Sequence, residues 1–268
     1  MRLARERGHG RLRCALAALA CGCALLAFAR GAAAQVSGTV GVVSDYRYRG
    51  YSLSDGDPAV QASVAYDWTQ GPYAGVFASS VDGGAQFIPY LGFARRDAQG
   101  RNWDIGARWS RFTAGDGIDY VEFHAGVAIR RIALRVHYAP DYYGQVSNWY
   151  VEADGSIPVG ERVRVLLHAG LARSGEDIDG GEAPPGYGGG GGIGYPPSYA
   201  RPQRQATYGT RDSDRTRIDV RAGLAFTTRA CDVQLSWQHI DGTNDVPYSA
   251  PWNPNDRSGW VLGCVHRW

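Results

Sequence analysis

The sequence predicts an all-β chain, specifically a 12-stranded antiparallel transmembrane β-barrel with short periplasmic turns and longer extracellular loops. Three observations predict it. The chain opens with an export signal and has no later apolar run of the roughly 18 residues that a spanning helix needs. Its body alternates apolar and polar residues in ten-residue segments without helical period. It ends on RSGWVLGCVHRW, where Trp260, Leu262, Cys264, His266 and Trp268 share one face of a strand that finishes on an aromatic.

Arg2, Arg5, Arg7, Arg11 and Arg13 precede the apolar run 14–28, and Ala32-Ala33-Ala34 supplies a small-residue cleavage site. Residues 1–34 therefore read as a cleaved signal peptide, and 35–268 as a single outer-membrane barrel domain. A lipoprotein reading through Cys21 or Cys23 lacks the usual leucine-led pattern. Without the signal, six of the 28 basic and one of the 26 acidic residues are lost, so the formal balance moves from +2 to −3. The basicity that would support nucleic-acid binding is gone, and no nucleic-acid partner is expected. Three of the five cysteines leave with the signal, so Cys231 and Cys264 remain in an oxidising compartment.

The strands follow in order. Val36, Val40, Val42, Tyr46 and Tyr48 oppose Ser37, Thr39, Asp45, Arg47 and Arg49, so the first strand is expected to run to Arg49. Val60, Ala62, Val64, Tyr66 and Trp68 oppose Gln61, Ser63 and Asp67 in the second. Two less regular segments follow, 73–79 and 85–94, the latter interrupted by Pro89. Trp103, Ile105, Ala107 and Trp109 then face away from Asp104, Arg108 and Ser110, and Val121, Phe123, Ala125 and Val127 face away from Glu122 and His124. The clearest alternation is at 132–139, where Ile132, Leu134, Val136 and Tyr138 oppose Arg135 and His137. Trp149, Val151 and Ala153 oppose Glu152 and Asp154; Val163, Val165, Leu167 and Leu171 oppose Arg164 and His168; Ile218, Val220, Leu224 and Phe226 oppose Asp219 and Arg221. Val233, Leu235 and Trp237 oppose Asp232, Gln234 and Ser236, and the terminal strand completes an even number, which puts both termini on one side of the membrane.

Links after even-numbered strands are short, as at 130–131 and 228–230, whereas several after odd-numbered strands are long, as at 140–148, 172–216 and 241–256. The Gly/Pro-rich stretch at 172–216 reads as an extracellular loop, part of which could fold inward on Tyr187, Tyr195 and Tyr199. Its glycines lack the preceding strand and following helix of a phosphate loop. Aromatics form two expected girdles, with Trp68, Tyr73, Trp103, Phe226 and Trp268 at the periplasmic ends and Tyr48, Trp109, Tyr138, Trp149, Trp237 and Trp260 at the outer ends. A soluble sandwich or lipocalin-like barrel shares the alternation but not these girdles.

Residues 43–81 resemble the opening of the TorF family of porins, a proteobacterial outer-membrane family (Gcw_chp) long described as of unknown function. The S-D-Y-R-[FY]-R-G-x-S core is matched at Ser44, Asp45, Tyr46, Arg47, Tyr48, Arg49, Gly50 and Ser52. The S-D-G-x-P-A-x-Q turn is matched at Ser54, Asp55, Gly56, Pro58, Ala59 and Gln61, and G-x-Y-A-G at Gly71, Tyr73, Ala74 and Gly75. The resemblance implies a family barrel across the mature chain; the glycine-rich loop and the two late cysteines depart from it.

The pore-lining candidates are the inward polar residues Asp45, Arg47, Arg49, Asp67, Asp104, Arg108, Glu122, His124, Arg135, His137, Glu152, Arg164, His168, Asp219 and Arg221. Neither sign dominates, which suits diffusion of small polar solutes through a wet, narrow lumen. The bland reading is a salt-bridged interior that only holds the wall together. Arg47 and Arg49, successive inward guanidiniums at the outer end of the first strand, would meet an anion, or else pair with Asp45, Asp67, Asp55 or Asp57. His124, His137 and Glu122 admit an acid/base or metal reading, but a satisfied lumen histidine is the commoner case; Ser110 and Ser236 have no histidine obviously opposed to them. No catalytic residue, cofactor or metal is expected, and the Asp55-Gly56-Asp57-Pro58 run is turn chemistry rather than a calcium loop.

The expected function is an outer-membrane porin-like channel for passive diffusion of small hydrophilic solutes, with a non-conducting scaffold or assembly factor, or a lipid-modifying enzyme, as alternatives. Expected partners are outer-membrane lipid, the barrel-assembly machinery through the strand ending at Trp268, and small polar solutes. Cys231 and Cys264 fall near the periplasmic rim on one face of one hairpin, where a cross-strand disulfide is geometrically possible.

Overall fold

Side chains that alternate between lipid and water can be satisfied in a bilayer only if the sheet closes, because an open edge leaves backbone N–H and C=O groups unpaired. The computed structural model, which describes residues 36–113, 118–144, 146–177, 216–242 and 257–268, shows that closure. The wall consists of β1 (Val36–Val43), β4 (Ala59–Asp67), β5 (Pro72–Val81), β6 (Gly84–Arg96), β7 (Asn102–Phe112), β8 (Tyr120–Ile129), β9 (Ile132–Tyr142), β10 (Val146–Pro158), β11 (Val163–Asp177), β12 (Thr216–Thr227), β13 (Asp232–Gly242) and β14 (Ser258–Arg267). Each pairs antiparallel with its neighbours, and β1 pairs with β14, Thr39 opposite Arg267 through Val43 opposite Gly263, to close a twelve-stranded barrel. Two short pieces, β2 (Arg47–Tyr48) and β3 (Tyr51–Ser52), form a separate ladder away from the wall.

The outer face is apolar. Val60, Leu91, Ile105, Ile132, Leu224 and Leu262 stand exposed along it, with Trp237 exposed at the middle of β13, and Trp68, Trp103, Trp109, Trp149, Trp260 and Trp268 are exposed toward strand ends. Burying such a surface in water would require a partner layer, whereas hydrocarbon satisfies it directly. The turn after β6 anchors one of these rings. Trp103 Nε1 donates to Asp97 Oδ2 at 2.9 Å and Arg101 Nε donates to the same oxygen at 2.6 Å. These bonds hold the Asp97 carboxyl well below the usual carboxylate range, so the clasp persists in mild acid and is lost only as pH falls through that lowered value.

Three expectations are corrected. The first wall strand ends at Val43, not Arg49, because residues 44–58 turn into the lumen; Tyr48 is therefore not in the outer girdle. Tyr73 is not in the periplasmic girdle either. It faces inward and hydrogen-bonds His124 Nε2 at 3.1 Å, since aromatic or small residues occupy both faces of β5 and polarity does not distinguish them. β11 continues to Asp177, so the stretch 172–177 is still strand; residues 178–215, with Tyr187, Tyr195 and Tyr199, and the expected signal peptide lie outside the described residues. Pro89 does not break β6. It points outward, and the β6–β7 ladder keeps one register while lacking pairs at Ile88 and Pro89, which is what a missing N–H donor costs.

Cys231, just before β13, and Cys264, on β14, are joined by a disulfide in the structure, with Cα atoms 5.9 Å apart. Cys264 is opposite Val233, so the bond runs diagonally across the last hairpin. The folded chain is expected to gain the mass of two hydrogens on reduction; an unchanged intact mass would exclude the bond.

Candidate lumenal site

The inward segment is made by local chemistry. Ser44 holds the chain to the wall one last time: its N–H donates to the Leu262 carbonyl at 2.8 Å, and its Oγ accepts from Leu262 N–H at 3.0 Å. The Asp45 carboxylate then gathers the loop, accepting from Arg47 Nε at 2.5 Å, Ser52 Oγ at 2.5 Å and Ser54 Oγ at 3.2 Å. Leu53 N–H donates to the Tyr46 carbonyl at 2.7 Å. Between β2 and β3, Arg49 (φ 50°) and Gly50 (φ 86°) both take left-handed conformations, as a two-residue type I′ hairpin requires. Only glycine fits the second position, because a Cβ there would stand 2.8 Å from Ile240 Cβ.

This hairpin carries Arg49 into the bore. Arg49 Nη2 donates to Glu122 Oε2 at 2.6 Å, and both side chains are almost completely buried, at 3% and 1% exposed. The guanidinium carbon lies 4.0 Å from the Tyr150 ring centroid, 5.1 Å from that of Tyr48 and 5.6 Å from that of Tyr142. Glu122 also pairs with Arg108 and with His137 Nδ1, the latter at 2.8 Å. Further ties reach the wall: Tyr46 Oη donates to Gln86 Oε1 at 2.9 Å, Arg108 Nη2 donates to Tyr48 Oη at 2.7 Å, and the Arg217 guanidinium lies 4.7 Å from the Tyr51 ring. Leu53, Tyr51 and Tyr46 pack with Phe112, Tyr120, Tyr142 and Tyr143 into one buried cluster. Full burial of each large apolar side chain is worth about 1.5–3 kcal/mol. The lumen, expected to be wet and narrow, is therefore filled at the end where β1 meets β4 by residues 44–58.

Two cavities border this plug. One cavity of about 440 Å³ is bordered by Asp104, Arg108, His124, Arg135 and His137 on β7, β8 and β9, and by tyrosines from β5, β6 and the plug. A second, of about 180 Å³, is lined by Arg47, Arg49, Glu152, His168, Asp219 and Arg221 among others. The charges are internally paired. Arg135 approaches Asp104 at 3.6 Å and Glu152 at 3.2 Å, and Arg164 bonds Asp232 at 2.8 Å. Asp67 lies exposed at the end of β4, beside the turn to β5. Asp45, expected on the wall, is instead the centre of the plug's own hydrogen bonds, and Arg47 and Arg49 do not stand as an outer pair of free cations.

His124 and His137 are cross-strand partners with ring centroids 5.8 Å apart. Glu152, Asp154 and His168 bring one donor atom each within 4.8 Å. His168, however, has Nδ1 2.9 Å from Asp154 Oδ1 and Nε2 3.0 Å from Asp219 Oδ1, so carboxylates engage both ring nitrogens. The sequence reading missed the tyrosines that shape the bore, Tyr90, Tyr142 and Tyr150. Tyrosine suits a lipid interface, a lumen or a core equally, so only its cross-strand neighbours could have placed it.

A family described as a bacterial protein of unknown function (Gcw_chp) matches residues 29–179 of the chain. No curated protein matches the sequence. Among solved structures, the KdgM porin is similar at 4% identity and a TM-score of 0.48, with 87% of this chain and 98% of that chain covered. The NanC porin is similar at 10% identity and 0.45, covering 86% and 97%. A chain solved in work on the in-meso crystallization of membrane proteins reaches 0.50 at 10% identity, covering 87% and 83%. At such identities the likeness concerns the barrel fold alone.

Proposed function

The chain belongs to the Gcw_chp family of bacterial proteins of unknown function, and from that premise we propose that it is a porin-like channel of the bacterial outer membrane, passing small hydrophilic solutes by passive diffusion, with residues 44–58 as its constriction. The observation that carries this reading is the cavity of about 440 Å³, bordered on one side by charged residues, inside a closed wall whose outside is apolar. A wall of that polarity suits lipid, and a bore lined by paired charges of both signs suits water and uncharged polar solutes more than ions of one sign. The plug narrows the route, so the channel would be restrictive and its conductance low. The strand ending at Trp268 would serve as the signal read by the barrel-assembly machinery.

One observation favours a second reading. The buried cluster at the outer end is packed like a core, as in a non-conducting scaffold. Liposome swelling separates the two. Proteoliposomes containing residues 35–268 are expected to swell in small neutral solutes, at rates that fall steeply with solute size; a correctly folded barrel that gives no swelling with any of them would favour the scaffold.

A further inference from the structure

The larger cavity has two unlike walls. On the β5 and β6 side, Tyr73, Phe77, Ile88 and Tyr90 face it, and Tyr46 and Tyr48 of the plug form its roof. Tyr73 is directly opposite Gly92, and Tyr90 directly opposite Gly75. A Cβ on Gly75 would lie 2.5 Å from Tyr90 Oη, one on Gly92 would collide with the Tyr73 ring, and one on Gly106 would lie 2.9 Å from Tyr73 Oη. The glycines thus let both tyrosines recline along the wall instead of standing across the bore. Their ring centroids are 6.2 Å apart with the planes tilted by 55°, and both rings border the cavity.

The facing wall is polar and carries both signs, with Asp104 among Arg108, Arg135 and the imidazoles of His124 and His137. Asp104 stands 3.5 Å from His124 Nε2 and 3.6 Å from Arg135 Nη2, and Tyr73 Oη reaches His124 across the floor. The charges are already engaged, Arg108 with Glu122 and Arg135 and His124 with Asp104, so a charged solute would have to displace an existing ion pair. A hydroxyl, which both donates and accepts, can bond to carboxylate, guanidinium and imidazole alike. The volume lies within the roughly 300–1,000 Å³ typical of small-ligand sites.

We propose that this cavity is a binding subsite for a neutral, ring-shaped polyhydroxylated solute, a pyranose or related cyclic polyol. Its C–H face would lie on Tyr73 and Tyr90, and its hydroxyls would bond Asp104, Arg135 and His124. The proposal rests on the reading that the lumen admits solutes, but binding and permeation can be measured apart.

The test is saturation-transfer NMR on the folded chain in a detergent without sugar headgroups, with methyl β-D-glucopyranoside as probe. Transfer to the ring C–H protons is expected, falling several-fold in Tyr73→Ala and in Tyr90→Leu, the latter keeping apolar volume without the ring. Asp104→Asn is expected to weaken transfer while the barrel still migrates as folded. Absent transfer from the wild-type protein, or transfer unchanged in both tyrosine variants, overturns the subsite. Glucuronate or open-chain sorbitol receiving equal transfer overturns the assignment to neutral rings. Binding without liposome swelling would uphold the subsite and count against the channel; swelling without binding would do the reverse.

Discussion

Arg49→Ala is expected to raise the single-channel conductance of the folded barrel several-fold while leaving its wall intact. Arg49 is the innermost tie of the plug, and its guanidinium meets Glu122 with both groups almost wholly removed from solvent. Removing one partner of a buried ion pair typically costs about 3–5 kcal/mol, because the other charge stays buried. Glu122 keeps Arg108 and His137, so the loss should fall at the lower end of that range. The wall does not depend on this pair: β1 and β4 are paired from Val36 opposite Tyr66 to Val43 opposite Ala59. The energy is therefore lost from the plug's attachment rather than from the barrel. Planar-bilayer recordings, with heat-modifiable gel migration as the check on folding, measure it. Unchanged conductance in a folded variant would mean that Arg49 does not hold the constriction.

Gly50→Val is expected to unseat the hairpin itself. The residue sits at φ 86°, and a side chain there meets Ile240 Cβ at 2.8 Å and Asp219 Cβ at 3.1 Å. A left-handed conformation costs an L-residue about 1–2 kcal/mol before any clash is counted, and a β-branched one more. The hairpin cannot shift outward without giving up the Arg49–Glu122 pair, so strain and clash act together. Limited trypsin digestion reads the result. Cleavage after Arg47 and Arg49 is expected in the variant and not in the wild-type protein, where the Arg49 side chain is buried. Equal protection in both would show that the hairpin tolerates the side chain.

Much of the wall was legible because lipid and water impose a two-residue period that few other environments require over so many segments. Residues 132–139 and 218–226 carry that period cleanly, and over those residues the pairing keeps one register on both sides, the shift in the β9–β10 ladder falling beyond Ala139. The plug was not legible from the same signal. Tyr46 and Tyr48 continue the alternation of Val40 and Val42, so parity alone extends the strand through a segment that has left the wall. The contrary signal was turn chemistry, with Ser44-Asp45, Arg49-Gly50 and Asp55-Gly56-Asp57-Pro58 crowded into residues 44–58. Read together, these residues describe a compact folded loop rather than a strand followed by a short link. Tyr73 escaped for a different reason. β5 offers Tyr73, Gly75 and Phe77 on one face and Ala74, Val76 and Ala78 on the other, and neither face is polar. The pairing of Tyr73 and of Tyr90 with a glycine on the adjacent strand is a register property, visible only once the strands are aligned.

The measurement that bears most directly on the whole account is the single-channel conductance of residues 35–268 beside a variant in which residues 44–58 are replaced by Asn-Gly. Val43 and Ala59 are already cross-strand partners, so a two-residue hairpin can join β1 to β4 without disturbing the wall. If the inward segment is the constriction of a channel, the wild-type protein gives small, stable steps and the shortened variant gives markedly larger ones. If the shortened barrel folds and its steps are no larger, residues 44–58 do not set the passage; if neither protein conducts, the channel reading fails.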